Sequence, residues 1–271
     1  MPVDYHIHTA LCGHAADEME EYVEQALRLG LTEMGFADHL PMEVWGQADP
    51  CLTMSLADME IYRRRVADLQ ARYQGRIRIR FGLEADYVPG KERVIEDFLR
   101  RYDFDYVIGS VHFLGADEVD FSRDHAPWTT HPVDEIFTGY FATLRDCAAC
   151  GLFDFLGHPD LVKKFGHRPS FALDDWYDRI ATVCAAHGIA AEINTSGLHR
   201  PVGEPYPHED FVRAFVRHGV PMPINSDAHL PQEVGRDRAA AEALARRAGL
   251  RRTPLYEKRR LVGWDELPVG E

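Results

Sequence analysis

Close to the start of the chain, Asp4-Tyr5-His6-Ile7-His8-Thr9 is followed by Leu11-Cys12-Gly13-His14. In an extended strand alternate side chains share a face, so His6 and His8 project the same way. Two imidazoles side by side suit a cation better than an apolar core. Further groups of the same kind end other apolar runs: Asp38-His39, Glu84 after Phe81-Gly82-Leu83, His112 after Ser110-Val111, Gly157-His158, and Asp227-Ala228-His229. Taken singly, several have an ordinary reading. A strand histidine such as His158 is commonly a core or surface residue, and Asp227 could simply cap a helix. Glu84 is different, because a buried lone carboxylate costs on the order of several kcal/mol unless it is paired or bound to metal. Seven histidines and two carboxylates at corresponding positions form one set. The expectation is a site for divalent metal, and imidazole with carboxylate and no thiolate fits Zn, Fe or Mn.

The elements that position these groups alternate between strand and helix about seven times. Strands are expected at the opening stretch and at 33–37, 77–87, 105–114, 153–159, 189–194 and 222–225. Helical spacing covers 18–29, a segment from the N-cap Ser55 to about 73, 91–101, 132–150, a stretch before 189, one through 216, and 231–248, with a possible edge strand at 255–262. The loop 115–130 is long and polar and holds His125 and Trp128; such loops tend to be functional or mobile. Alternation of this kind predicts an α/β fold with a parallel sheet closed as a barrel, in one domain spanning 1–271. The C-terminal strand ends of a barrel meet at one mouth, where His6, His8, His14, His39, Glu84, His112, His158, Asp227 and His229 converge.

Composition sets outer bounds. The 271 residues are 45% hydrophobic and 27% charged, as in ordinary globular proteins. No apolar run of about eighteen residues predicts a membrane span, and the N-terminus lacks the pattern of a signal peptide, so the cytoplasm is expected. Five cysteines without regular spacing argue against a disulfide framework, and Cys147-x-x-Cys150 reads as two core residues of a helix. A net charge of −14 disfavours nucleic acid as a partner; Arg63-Arg64-Arg65 and Arg246-Arg247 read as solvated helix faces. The other histidines (His125, His131, His167, His187, His199, His208, His218) need no metal role.

The ordered set His6-x-His8, His14, Asp38-His39, Glu84, His112, Gly157-His158 and Asp227-x-His229 resembles the motifs of the polymerase-and-histidinol-phosphatase (PHP) superfamily. Leu11-Cys12-Gly13-His14-Ala15, Gly82-Leu83-Glu84-Ala85-Asp86, the run from Tyr106 to His112, Gly157-His158-x-Asp160-Leu161 and Asn194-Thr195-Ser196-Gly197-Leu198 look like its monofunctional histidinol-phosphate phosphatases. The resemblance implies a distorted (β/α)7 barrel with three divalent metal ions. The first would take His6, His8, Glu84 and Asp227. The second would share Glu84 and add His112 and His158. The third would take His14, His39 and His229, and Asp38 would orient a ligand.

The expected reaction is hydrolysis of L-histidinol phosphate, with a hydroxide between two metals attacking phosphorus. Asp227, His229 and Glu84 are the candidate catalytic residues, and Asp227 would receive the proton of the attacking water. Lys163, Lys164, Arg200 and His199 are candidates to hold phosphate, His199 standing where related phosphatases often have arginine. Glu204, Trp128 and Asp17 are weaker candidates for the histidinol end. Competing readings are a PHP phosphoesterase for another small phosphate or nucleotide, an amidohydrolase acting on C–N bonds, and a non-catalytic metal-binding module. In the amidohydrolase a carboxylated lysine would typically stand where this chain has Glu84.

Overall fold

The computed structural model describes residues 2–115, 117–120 and 127–268; His125 lies outside the described residues. A parallel sheet in the order β1 (Val3–Asp4), β2 (Glu33–Phe36), β3 (Arg78–Asp86), β4 (Tyr106–Ser110), β7 (Phe155–Leu156) and β8 (Ala190–Ala191) forms most of the wall. After one residue the chain continues as β9 (Ile193–Asn194), which pairs in parallel with β10 (Ile224–Asn225). Beyond the paired residues of β1 and β10, the His8 amide donates to Ala228 O (2.9 Å) and the Ala228 amide to His6 O (3.1 Å). These bonds join the first strand to the last and close a distorted seven-stranded (β/α) barrel.

Helices α1 (Met19–Arg28), α2 (Met59–Arg72), α3 (Glu92–Leu99), α4 (Val133–Ala149), α5 (Asp174–His187), α6 (Glu209–Arg217) and α7 (Arg238–Ala248) cover the outside. Each turns an apolar stripe inward at helical spacing, as Met19, Tyr22, Val23 and Ala26 of α1 do. Inside the barrel, Val3, Tyr5, Ala37, Tyr106, Ile108, Phe155 and Ala190 form a separate core. The Tyr106 ring needs glycine opposite: a Cβ on Gly35 would lie 2.1 Å from its hydroxyl oxygen, and one on Gly82 2.3 Å from Cζ.

The C-terminal segment departs from the single edge strand expected at 255–262. It is an antiparallel hairpin, β11 (Arg252–Glu257) and β12 (Arg260–Glu266), that seats Tyr256 in the inner core and closes the N-terminal end of the barrel. Its two-residue turn, Lys258-Arg259, has positive φ at both positions (50° and 60°). That geometry usually selects Asn-Gly, so Lys258-Arg259 carries no turn signal in its residue types. The expected helix 231–248 is also interrupted: a short 3₁₀ turn (Pro231–Glu233) precedes α7. The break is held by hydrogen bonds from the Gly235 amide to Asp4 Oδ2 (3.0 Å) and from Thr195 Oγ1 to Arg236 O (2.7 Å). The loop after β4 contributes a small ribbon, β5 (Phe113–Leu114) with β6 (Asp117–Glu118). Among the described residues no helix is long and apolar enough to cross a membrane, and all five thiols are free, with Cys147 buried in α4.

Candidate metal centre

The strand ends bring the expected ligands to one mouth, around Glu84. Its Oε1 accepts from Ser110 Oγ (2.6 Å) and lies 3.0 Å from His158 Nε2 and 3.7 Å from His112 Nε2. Its Oε2 has no hydrogen-bond partner, although His39 Nδ1, His6 Nε2 and His8 Nε2 stand 3.1, 3.3 and 3.5 Å away. Asp227 Oδ1 lies 3.2 Å from His8 Nε2 and 3.6 Å from His6 Nε2. On the outer side, possible ligand atoms of His14, His39 and His229 lie within 4.8 Å of one another; so do those of His6, His8 and Asp227, and of His6, Glu84 and His158.

Several ligands are aimed by their neighbours. His112 Nδ1 meets Asp86 Oδ1 at 2.7 Å, and His14 Nδ1 faces the carbonyls of Cys12 and Cys51, both at 3.1 Å. His6 Nδ1 meets both oxygens of Glu192. Asp38, expected to orient a ligand, lies 3.7 Å from His8 Nδ1 and accepts from the Thr9 hydroxyl and the His39 amide. His158 and Asp227 are non-glycine residues at positive φ (22° and 56°). Such backbone costs on the order of 1–3 kcal/mol and persists where the surroundings over-determine it. Gly157 makes room for it, since a Cβ there would lie 2.3 Å from Ser110 Oγ.

Both the electrostatics and the orphaned atoms fit a cation. Burial opposes charge on His6, yet Glu192, Glu84 and Asp227 outweigh it and raise its pKa well above the ordinary value. Burial likewise opposes ionisation of Glu84 and Asp227, but the imidazoles hold both carboxyls well below the usual range. His229 is pushed down to about 3 by burial and by His8, whereas His112 is raised to about 10 because Asp86 overcomes burial. Among the described residues, His6 Nε2, both ring nitrogens of His8, His158 Nδ1 and Glu84 Oε2 are buried without hydrogen-bond partners. Groups of this kind rarely go unpaired in an interior, and a divalent cation would satisfy the convergent ones.

A cavity of about 310 Å³ opens over this cluster. Lys164 and Arg200 line it; Lys163 and His199 do not. Lys163 is buried against Asp160 Oδ2 (2.9 Å) and Pro205 O (2.9 Å), and exposed His199 pairs with Asp237. The sequence places both side chains near the mouth, but neighbouring acceptors turn them away. Glu204, Trp128 and Asp17 are also absent from the lining: Glu204 pairs with Arg168, and Trp128 stacks on His167. The acidic wall is instead Asp86, Glu118 and Asp120. Asp120 Oδ2 takes Lys164 Nζ at 3.0 Å, while Oδ1 is buried without a partner among the described residues. Burial and Asp120 push the Glu118 carboxyl up to about 7. Sequence reasoning missed this wall and Glu192. A carboxylate within the apolar run Ala190-Ala191-Glu192-Ile193 carries the same signal that marked Glu84.

Fold and site together define a (β/α) barrel with a candidate polynuclear metal centre at its C-terminal mouth. The PHP domain family matches residues 4–196. A Deinococcus radiodurans protein described as a probable histidinol-phosphatase is 42% identical over 235 residues, covering 86% of this chain and 88% of that one. The histidinol-phosphatase of Bacillus subtilis is 28% identical, covering 86% and 95%. In fold, the chain is similar to the histidinol phosphate phosphatase of Lactococcus lactis, crystallised with zinc, L-histidinol and phosphate. The TM-score is 0.82 at 23% identity, over 97% of this chain and 99% of that one. The chain belongs to the PHP domain family.

Proposed function

We propose that this protein is a metal-dependent phosphoric monoester hydrolase that converts L-histidinol phosphate to L-histidinol and phosphate, a step of histidine biosynthesis. The observation that carries this reading is the cavity itself: unpartnered metal-ligand atoms on its floor, with Arg200 and Lys164 and an acidic wall around them. A phosphate ester of an amino alcohol has that same division of charge. The names of the Deinococcus and Bacillus relatives support the substrate.

In this reading His6, His8, Glu84 and Asp227 hold a first metal, Glu84, His112 and His158 a second, and His14, His39 and His229 a third, with zinc, iron or manganese as occupants. Bound divalent ions supply a nucleophilic oxygen at neutral pH and neutralise charge on the phosphoryl group. Asp227 takes the proton of the attacking water. Its Oδ2 is fixed by Ser196 Oγ (3.2 Å) and Asn194 Nδ2 (3.3 Å), leaving Oδ1 toward the histidines. Arg200 and Lys164 hold phosphate oxygens, and Glu118 and Asp120 face the cationic end of the substrate.

Residues 1–271 act as one phosphoesterase domain; in support, residues 6–8 near its start pair with residue 228 to close the barrel. Cytoplasmic residence belongs to the same reading and suits five free thiols. The test is phosphate release from L-histidinol phosphate against sugar and nucleotide monophosphates, with zinc, Fe(II) or manganese. A clear preference for L-histidinol phosphate is expected. Equal rates on all substrates would overturn the substrate assignment, and no release with any metal would overturn the hydrolase reading.

A further inference from the structure

Glu192 lies between β8 and β9 with no exposed surface, and its carboxylate meets three amide N–H donors and the His6 ring. Oε1 accepts from the His158 amide (2.7 Å) and Asn194 Nδ2 (2.8 Å), and Oε2 from Asn225 Nδ2 (2.7 Å). His6 Nδ1 spans both oxygens at 3.0 and 3.1 Å. The donors come from four different strands of the barrel. Three amide donors on two oxygens leave a neutral acid's proton only the His6 ring to meet, and the more basic imidazole takes it, so the site selects the carboxylate. Against a carboxylate, His6 Nδ1 must carry its proton. Nε2 is then the nitrogen left to face a cation, with Glu84 Oε2 and Asp227 Oδ1 at 3.3 and 3.6 Å. The bond from the His158 amide steadies a residue whose own φ is 22°.

We propose that Glu192 is a positioning residue of the metal centre: it fixes the His6 tautomer and the His158 backbone together, so that one buried carboxylate aligns ligands of two adjacent metal positions. This rests on the metal reading above. Glutamine is nearly the same size but brings a donor. Its carbonyl would satisfy the His158 amide and Asn194, leaving its NH2 group to donate to His6 Nδ1 and move the ring proton to Nε2. Aspartate keeps the charge and the acceptors but is one methylene shorter.

The experiment compares wild type, Glu192→Gln and Glu192→Asp by two readouts. One is zinc affinity by competition with a chelator; the other is the protonation of His6 Nδ1, read by ¹⁵N NMR of the imidazole. Expected for Glu192→Gln is a 10–100-fold loss of zinc affinity, the usual scale for a group that orients a metal ligand, with the proton gone from Nδ1. Glu192→Asp is expected to keep that proton and to bind zinc between the two. Wild-type zinc affinity in Glu192→Gln, or an Nδ1 without its proton in wild type, would overturn the proposal. If Glu192→Gln does not fold, Glu192→Asp decides: an unprotonated Nδ1 there overturns it. A wild-type protein that takes up no zinc would sink the metal reading instead, and the NMR comparison would still settle the role of Glu192.

Discussion

At the closed end of the barrel the buried side chains of Tyr5, Glu33 and Tyr106 are partnered within the protein. The Tyr5 hydroxyl donates to Glu33, which is also held by Arg80 Nε (2.8 Å) and Arg78, and the Tyr106 hydroxyl donates to Tyr5 O at 2.6 Å. At the mouth, His6 Nε2, His8 Nε2 and Glu84 Oε2 crowd together with no such partner. Both ends are built on the same strands, so the difference is one of purpose. Satisfied polar groups hold the strands in register, whereas convergent unsatisfied ones are retained for something that binds there.

The largest effect expected is from Glu84→Gln, which removes the shared carboxylate of the mouth. Turnover should fall more than about 10³-fold, equivalent to about 4 kcal/mol of barrier. The rise in melting temperature on adding zinc, which wild type should show, should disappear. A variant that kept both would erase the distinction between the two ends.

Next comes Gly35→Ala, which drives a methyl against the Tyr106 hydroxyl. Overpacking of this kind should cost about 2–3 kcal/mol in urea unfolding, with kcat per folded molecule nearly unchanged. A large loss of kcat would show that the closed end reaches the chemistry. Smaller again, Arg200→Gln should raise KM about tenfold, whereas His199→Gln, whose ring is tied to Asp237, should change it less than about twofold. The reverse order would mean that His199 swings into the cavity.

The smallest effect is a slope with pH at the closed end. Burial favours the neutral form of Glu33, but hydrogen bonds from Arg80, Tyr5 and Arg78 outweigh it and lower its pKa. Its stabilisation is therefore complete above the unfolded carboxylate pKa of about 4.3 and is lost as pH falls through the lower folded value. Acid unfolding of Glu33→Gln should show a shallower slope than wild type in that range. Equal slopes would assign the acid sensitivity to other carboxylates.

The nine candidate ligands were legible in the sequence because strand periodicity and strand order place chemistry without help from packing. His6 and His8 share a face by alternation alone, and Glu84 and Asp227 stand at the ends of the third and seventh strands of one ring. Side-chain direction in loops was not legible. Lys163 and Lys164 are neighbours, yet Asp160 holds one in the interior while Asp120 draws the other into the cavity wall. Nothing in their spacing distinguishes them. The acidic wall escaped because Glu118 and Asp120 gain meaning only from the ribbon that folds residues 117–118 back over 113–114. The closing hairpin escaped because its turn is Lys-Arg, and the break before α7 because it depends on Asp4, more than two hundred residues away.

Ring closure between residues 6–8 and residue 228 has a consequence for biosynthesis. A nascent chain that has reached residue 220 already carries His6, His8, His14, His39, Glu84, His112 and His158, but has neither Asp227, His229 nor the strand that completes the wall. A cation captured at that stage would meet a partial cage open to exchange. The finished cage can form only once β10 has left the ribosome and docked beside the first strand. On the metal reading, the choice of ion would therefore wait until residues 224–229 have joined the rest of the cage.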